Sequence, residues 1–158
     1  MLVIFVVITI LLFIQALYVG AEFATLSSRR SRLAQMAGDG NRFARMILPV
    51  VEDPHTLDVY IAACQIGITI SSLVLGFYGQ SKLSSVVTPL LESAGINAPR
   101  AAETLSAAVI LLLLTGLQVV LGELVPKNIG VQYPERLALL TALPMRWSIV
   151  LFLSLIHI

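Results

Sequence analysis

ETLSAAVILLLLTGLQVVLGELVPKN (residues 103–128) carries no charge from Thr104 to Gly122 and then sets Glu123, Pro126 and Lys127 in close succession. The uncharged part is about the ~20 apolar residues a helix needs to cross a bilayer. Pro126 has no amide hydrogen, and its ring clashes with the carbonyl four residues back, at Gly122. That predicts a broken helix with free carbonyls beside the carboxylate of Glu123. Irregular backbone at membrane depth is tolerated only against protein or a watery cavity, and interrupted helices of this kind hold small cations in many transporters. A plain helix end, with Pro126 as breaker and Lys127 as interfacial anchor, accounts for the same residues.

Outward from this stretch the chain repeats the pattern. Leu2–Val19 and Val59–Ser81 are two further charge-free runs, and Leu137–Ile158 is apolar but interrupted by Pro144 and Arg146. Hydrophobic residues make up 58% of the 158 and charged residues 12%, about half the ~25% of a soluble domain. An ordinary globular surface is excluded. The net charge of +1 points to no nucleic-acid partner. Cys64 stands alone, which rules out an internal disulfide framework and reads as a small packing residue. The N-terminal run lacks the basic n-region of a signal peptide and is too long for its h-region; with helical pattern continuing through Glu22, Phe23 and Ala24, it reads as an uncleaved first transmembrane helix.

Between the first two runs lies a basic stretch with Arg29, Arg30, Arg32, Arg42 and Arg45 against Asp39 alone. Leu33, Met36, Gly40, Phe43, Ile47 and Val50 recur at helical spacing, so this reads as an amphipathic helix at the membrane interface, broken in two at Gly38-Asp39-Gly40; a solvated loop with accidental periodicity is the alternative. By the positive-inside rule the stretch is cytoplasmic and the N-terminus outside; the second run goes out, a polar loop from Lys82 to Arg100 is external, and the third run returns with Lys127, Arg136 and Arg146 inside. In the fourth segment Arg146 would cost about 2.5–3.5 kcal/mol at a bilayer centre, leaving a kinked interfacial helix or a partial crossing. The end at LFLSLIHI, without a polar tail, reads as a truncation. The predicted fold is therefore all-α integral membrane, a single domain over 1–158: three transmembrane helices, an amphipathic juxtamembrane belt helix and a kinked C-terminal hydrophobic segment.

Ionisable residues in membrane helices are costly and mark candidate sites. Glu22 follows Gln15 and Tyr18 at helical spacing, and Glu123 follows Thr115, Gln118 and Gly122. In the second run Gln65, Thr69, Ser72 and Gly76 share one face, while Gly67, Ser71, Ser72, Gly76 and Gly79 permit close helix approach. Two carboxylates with neutral oxygen donors make a hard ligand set suited to Mg²⁺ or Ca²⁺. No Cys/His cluster, phosphate-binding loop or nucleophile–base pair appears, so an enzyme is not expected. His55 and His157 are isolated, in solvated or interfacial positions.

VGAEFATLSSRRSRLAQMAGDG, AACQIGITISSLVLG and VVLGELVPKNIGVQYPERLAL, in that order over about residues 15–145, resemble the transmembrane domain of the CorC/cyclin-M (hemolysin C-related) family. The resemblance implies a homodimer in the cytoplasmic (inner) membrane, three membrane helices per protomer, and Mg²⁺ efflux coupled to Na⁺. It implies a cation site of Glu22, Gln65, Thr69, Ser72 and Glu123, with Gly122, Pro126 and Lys127 shaping the broken helix. Many relatives carry Ser where this chain has Ala21, and others Asn where it has Gln65 and Thr69. The resemblance implies that tandem CBS domains follow this domain in relatives; these 158 residues are the membrane part alone. A non-transporting membrane Mg²⁺ sensor or scaffold would carry the same residues.

The topology has a direct test. Cysteines placed singly at Ser31 and Asn97 in a Cys64→Ser background are expected to react with an impermeant maleimide from opposite sides; labelling from one side would end the three-crossing reading.

Overall fold

The computed structural model describes residues 2–93 and 99–156; Asn97 and His157 lie outside them. Among the described residues there are seven α-helices and one π-helical segment, and no strand. They are α1 (Leu2–Ser27), α2 (Arg30–Gly38), α3 (Arg42–Glu52), α4 (Pro54–Ser93), α5 (Pro99–Leu117), a π-helix (Gln118–Leu124), α6 (Val125–Gln132) and α7 (Pro134–Ile156). Three continuous helical stretches are long and apolar enough to cross a membrane: Leu2–Ser27, Pro54–Ser93 and Arg100–Gln132. No more than a third of the most apolar window of each is buried within the chain, so their outer faces need a non-aqueous neighbour.

Side-chain contacts fix the directions of the three spans. Along α1 and α4, Thr25 lies beside Tyr60, Tyr18 against Gly67, and Ile8 clusters with Leu75; one number rises as the other falls, so the pair is antiparallel. Gly79 meets Leu114, and the hydroxyls of Thr88 and Ser106 bond at 2.9 Å, so α4 and α5 are antiparallel too. Gln15 faces Gly122, Gly20 faces Pro126, and Ala24 faces Gly130. Both numbers rise together, and α1 runs parallel to the third span.

At 40 residues, α4 is about 60 Å long, twice the ~30 Å hydrocarbon core. The loop expected from Lys82 is therefore helix as far as Ser93. Pro89 removes one backbone bond without ending the helix, Ser85 and Ser93 return their hydroxyls to local carbonyls, and Leu83 and Val87 pack on the Ile8–Leu75–Ile110–Leu114 cluster. Asp53 caps the other end. Its carboxylate accepts from the Thr56 hydroxyl (2.5 Å) and amide (2.9 Å), bonds that hold its pKa below the ordinary carboxylate value.

The basic stretch does divide in two. Gly40 adopts φ +94°, Asn41 N–H reaches the Met36 carbonyl and Gly40 N–H that of Ala37, which is a Schellman end. The Asn41 side chain then caps α3 by accepting from Phe43 and Ala44 N–H (3.0 and 3.2 Å). Leu33, Ile47 and Val50 are buried as expected, but Phe43 is exposed and Ala44 takes the inner position one turn before Ile47.

The fourth segment is one helix, uninterrupted at Pro144, and it does not run alongside α1. Leu137 touches Gly20 and Phe152 stacks obliquely on Tyr18 at 6.5 Å. Fifteen residues of α7, about 22 Å, meet two α1 positions only ~3 Å apart along the axis, so α7 lies obliquely across α1. Tyr133, at φ −127° and ψ 54°, makes the corner before it. With α2 and α3 it forms a belt around one end of the spans, over a core of Ala21, Leu33, Ile47, Tyr60, Cys64 and Met145.

A Cβ at Gly130 would stand 3.0 Å from the Ala24 amide nitrogen and 3.1 Å from the Gly20 carbonyl, whereas one at Gly116 meets nothing within 4 Å. Backbone cannot swing aside as a side chain can. Gly130→Ala is expected to cost about 1–3 kcal/mol and Gly116→Ala nothing, read as thermal unfolding midpoints in detergent; equal shifts would dismiss the α1–α6 contact as a stability determinant.

Candidate functional site

The third span changes pitch where the sequence predicts a break. Leu117 and Val125 both keep ordinary helical angles, and Val125 N–H reaches the Val120 carbonyl, five residues back. The helix widens through Gln118–Leu124 and continues as α6, so the expected break at Pro126 is a π-helical turn rather than an interruption. Pro126 offers no hydrogen to the carbonyl one turn behind it, Leu121 in π spacing or Gly122 in α spacing. Wide turns of this kind are rare and recur at functional positions.

Gly122 makes this turn fit. A Cβ there would lie 3.0–3.2 Å from all three heavy atoms of the Gln15 amide group. Gln15 is only 4% exposed and lies flat on that glycine. Gln118 Nε2 donates to Gln15 Oε1 (3.3 Å) and, at the 3.5 Å limit, to the Ser72 carbonyl. Three spans thus meet in one polar knot, with Gln15 from α1, Ser72 from α4, and Gln118 and Gly122 from the π-helix. On its α4–α5 side Gln118 also lines a groove of about 540 Å³, where Gln80, Ser81 and Thr115 supply further polar groups.

The other residues singled out in the sequence divide around this knot. Glu22 is half-buried on α1, two turns beyond Gln15, within electrostatic reach of Lys127 and Cys64. Lys127 is held against α1 by its ammonium, 4.5 Å above the Phe23 ring centre. Glu123 adjoins the knot through Gly122 but is exposed, because the glycine takes the inward position. Ser72 joins the knot through its backbone carbonyl. Gln65 and Thr69 are exposed, and the Thr69 hydroxyl donates back to the Gln65 carbonyl at 2.8 Å. Among the described residues no three His, Cys, Asp or Glu side chains converge as a metal cage. Gln15 and Gln118 stand in the sequence as markers of the faces leading to Glu22 and Glu123; in the fold they are the contact itself. A glutamine in each of two apolar runs was the available signal.

Residues 6–158 match the cyclin M transmembrane N-terminal domain. The chain is 37% identical over 153 residues to UPF0053 protein YhdT of Bacillus subtilis, covering 97% of this chain and 32% of the relative. UPF0053 protein YhdP of the same organism is 34% identical over 143 residues, 90% of this chain and 31% of the relative. The uncharacterized protein Rv1841c of Mycobacterium tuberculosis is 39% identical over 131 residues, 82% and 35%. The chain spans about a third of the length of these relatives, and it belongs to the cyclin M transmembrane-domain family, as a multi-pass membrane domain.

The knot predicts non-additive energetics. Gln15→Leu or Gln118→Leu alone leaves a buried amide without its partner and is expected to cost about 1–3 kcal/mol. The double replacement removes both polar groups and should cost less than the sum. A double-mutant cycle on unfolding in detergent measures this, and strict additivity would mean that the two amides are not coupled.

Proposed function

We propose that this cyclin M-type membrane domain moves Mg²⁺ out across the cytoplasmic membrane, coupled to Na⁺, as a homodimer with its N-terminus outside. The observation that carries the reading is the widened turn of the third span. It sets Glu123 directly after the glycine on which the three-helix polar knot is built. A carboxylate, an uncommitted carbonyl before Pro126 and neutral amide oxygens are the hard donors that Mg²⁺ selects. Glu22, two turns from Gln15, adds a second negative charge on the α1 side. The groove on the α4–α5 side is largely apolar, walled by Phe77, Ala107, Leu111 and Leu114, and brings Gln80, Ser81 and Thr115 near Gln118. Membership of the cyclin M transmembrane-domain family supports a role within the membrane.

A sensing role without transport would use the same carboxylates and carbonyls. Flux decides between the two. Protein in liposomes loaded with a Mg²⁺-sensitive dye should report uptake above empty vesicles if it transports; saturable binding without flux would identify a sensor.

Metal binding requires ionised carboxylates, so Mg²⁺ affinity should fall as pH falls and protons compete for the same oxygens. Glu123→Gln retains size and removes charge. It is expected to weaken Mg²⁺ binding by roughly tenfold or more, since even changes behind a ligand cost about 10–100-fold. Glu22→Gln should have an equal or smaller effect. Pro126→Ala should weaken binding without altering charge, by restoring a donor to the freed carbonyl. Calorimetric titration of Mg²⁺ into each variant tests the assignment, and parent-like affinity in Glu123→Gln would remove Glu123 from the site.

A further inference from the structure

Arg45 of α3 and Arg146 of α7 come from stretches 101 residues apart, yet they border one groove of about 400 Å³. Its walls are apolar, with Met46, Ile47 and Val50 on one side and Ala142, Ile149 and Val150 on the other, and Tyr60 at its floor is 1% exposed. Both arginines are exposed at its edge. The Arg45 Nε donates to the Ala37 carbonyl at 3.1 Å, which fixes the guanidinium at the α2–α3 junction and leaves its terminal nitrogens available. Arg146 makes no ion pair among the described residues, where the ion pair found is Arg30–Glu52. Trp147, 75% exposed, stands beside Arg146 at a second shallow groove with Leu143 and Val150.

We propose that this groove binds an anionic phospholipid, with the headgroup phosphate between Arg45 and Arg146 and an acyl chain along the α3–α7 walls. Charge complementarity selects the occupant. Guanidinium groups match phosphate in a planar, two-pronged fashion, and the apolar walls directly below suit hydrocarbon rather than a free ion. The outward face of α7 supports a lipid neighbour, since Leu140, Leu143, Trp147, Val150 and Leu151 are all more than half exposed and form one apolar stripe. The oblique course of α7 removes the difficulty of an arginine within an apolar segment, because Arg146 lies at the arginine-rich end of the spans instead of at their middle. The site is separate from the polar knot and does not depend on transport.

The single tryptophan of the chain is a built-in reporter. In vesicles holding a fixed minor fraction of brominated lipid, Trp147 emission should be quenched more by brominated phosphatidylglycerol than by brominated phosphatidylcholine. Each guanidinium should account for roughly fivefold of that preference, so Arg45→Gln with Arg146→Gln should erase it. Equal quenching by both lipids in the parent overturns the proposal. So does a preference that survives the double variant and disappears only when Arg29, Arg30 and Arg32 are changed to Gln, which would mark diffuse surface attraction. If the double variant does not fold, the parent alone suffices. Unbrominated phosphatidylglycerol added to brominated phosphatidylcholine vesicles should restore emission beyond simple dilution, and recovery no better than with added phosphatidylcholine counts against the site.

Discussion

The close approach of α1 to the third span is the constraint on which the rest of the fold depends. Gly122 and Gly130 lie along it, and at each the space a Cβ would fill is already taken by α1, while Gly20 faces Pro126 at ordinary contact distance. In a membrane there is little hydrophobic gain from bringing helices together, because lipid tails are as apolar as the side chains. Association rests on dispersion between surfaces that fit, and glycine lets backbones meet. Once α1 and the third span are locked in parallel, α4 has one way to connect them, running back along Tyr18–Gly67 and Gly79–Leu114.

The same closeness explains why a polar knot is tolerated among apolar helices. Gln15 is buried over a glycine and receives a hydrogen bond from Gln118, whose amide also approaches the Ser72 carbonyl. An amide facing lipid would lose its water without compensation; here each helix supplies part of the replacement. Widening the third span around Gln118–Leu124 puts Gly122, rather than a bulkier neighbour, under Gln15, and turns Glu123 outward beside it. Packing and polarity are therefore one arrangement, and a carboxylate is held next to it without being buried.

At the arginine-rich end the spans alone would leave their termini bare. The Schellman end at Gly40 and the Asn41 cap fold α2 back onto α3, Tyr133 turns the chain into α7, and together these helices cover the core around Tyr60, Cys64 and Met145. There the hydroxyls of Thr25 and Tyr60 are buried without a hydrogen-bond partner among the described residues, and Tyr60 lies beside Thr141 as well. In that belt apolar stripes and guanidinium groups sit side by side, as an interface between hydrocarbon and charged headgroups requires.

Three spans, a basic amphipathic stretch divided at Gly38–Gly40, and the family itself were legible in the sequence. Hydropathy, charge and turn chemistry act within a window of residues, and no long-range contact is needed to read them. Pro126 also announced irregular backbone, because a missing amide hydrogen is a local fact. Whether the helix would break or widen was decided elsewhere, by the room Gly122 leaves for Gln15, 107 positions away. The stretch from Lys82 read as loop because charged and hydroxyl residues and Pro89 interrupt its apolar ones, but packing of Leu83 and Val87 on Ile8 and Leu75 keeps it helical. Gln65 and Thr69 share a face with Ser72 by spacing, yet which part of that face turns inward depends on where α1 and the third span stand. Arg146 looked costly in a linear reading and became accessible once α7 crossed α1 obliquely. Periodicity determines which residues share a helix face; only the assembled helices determine what that face meets.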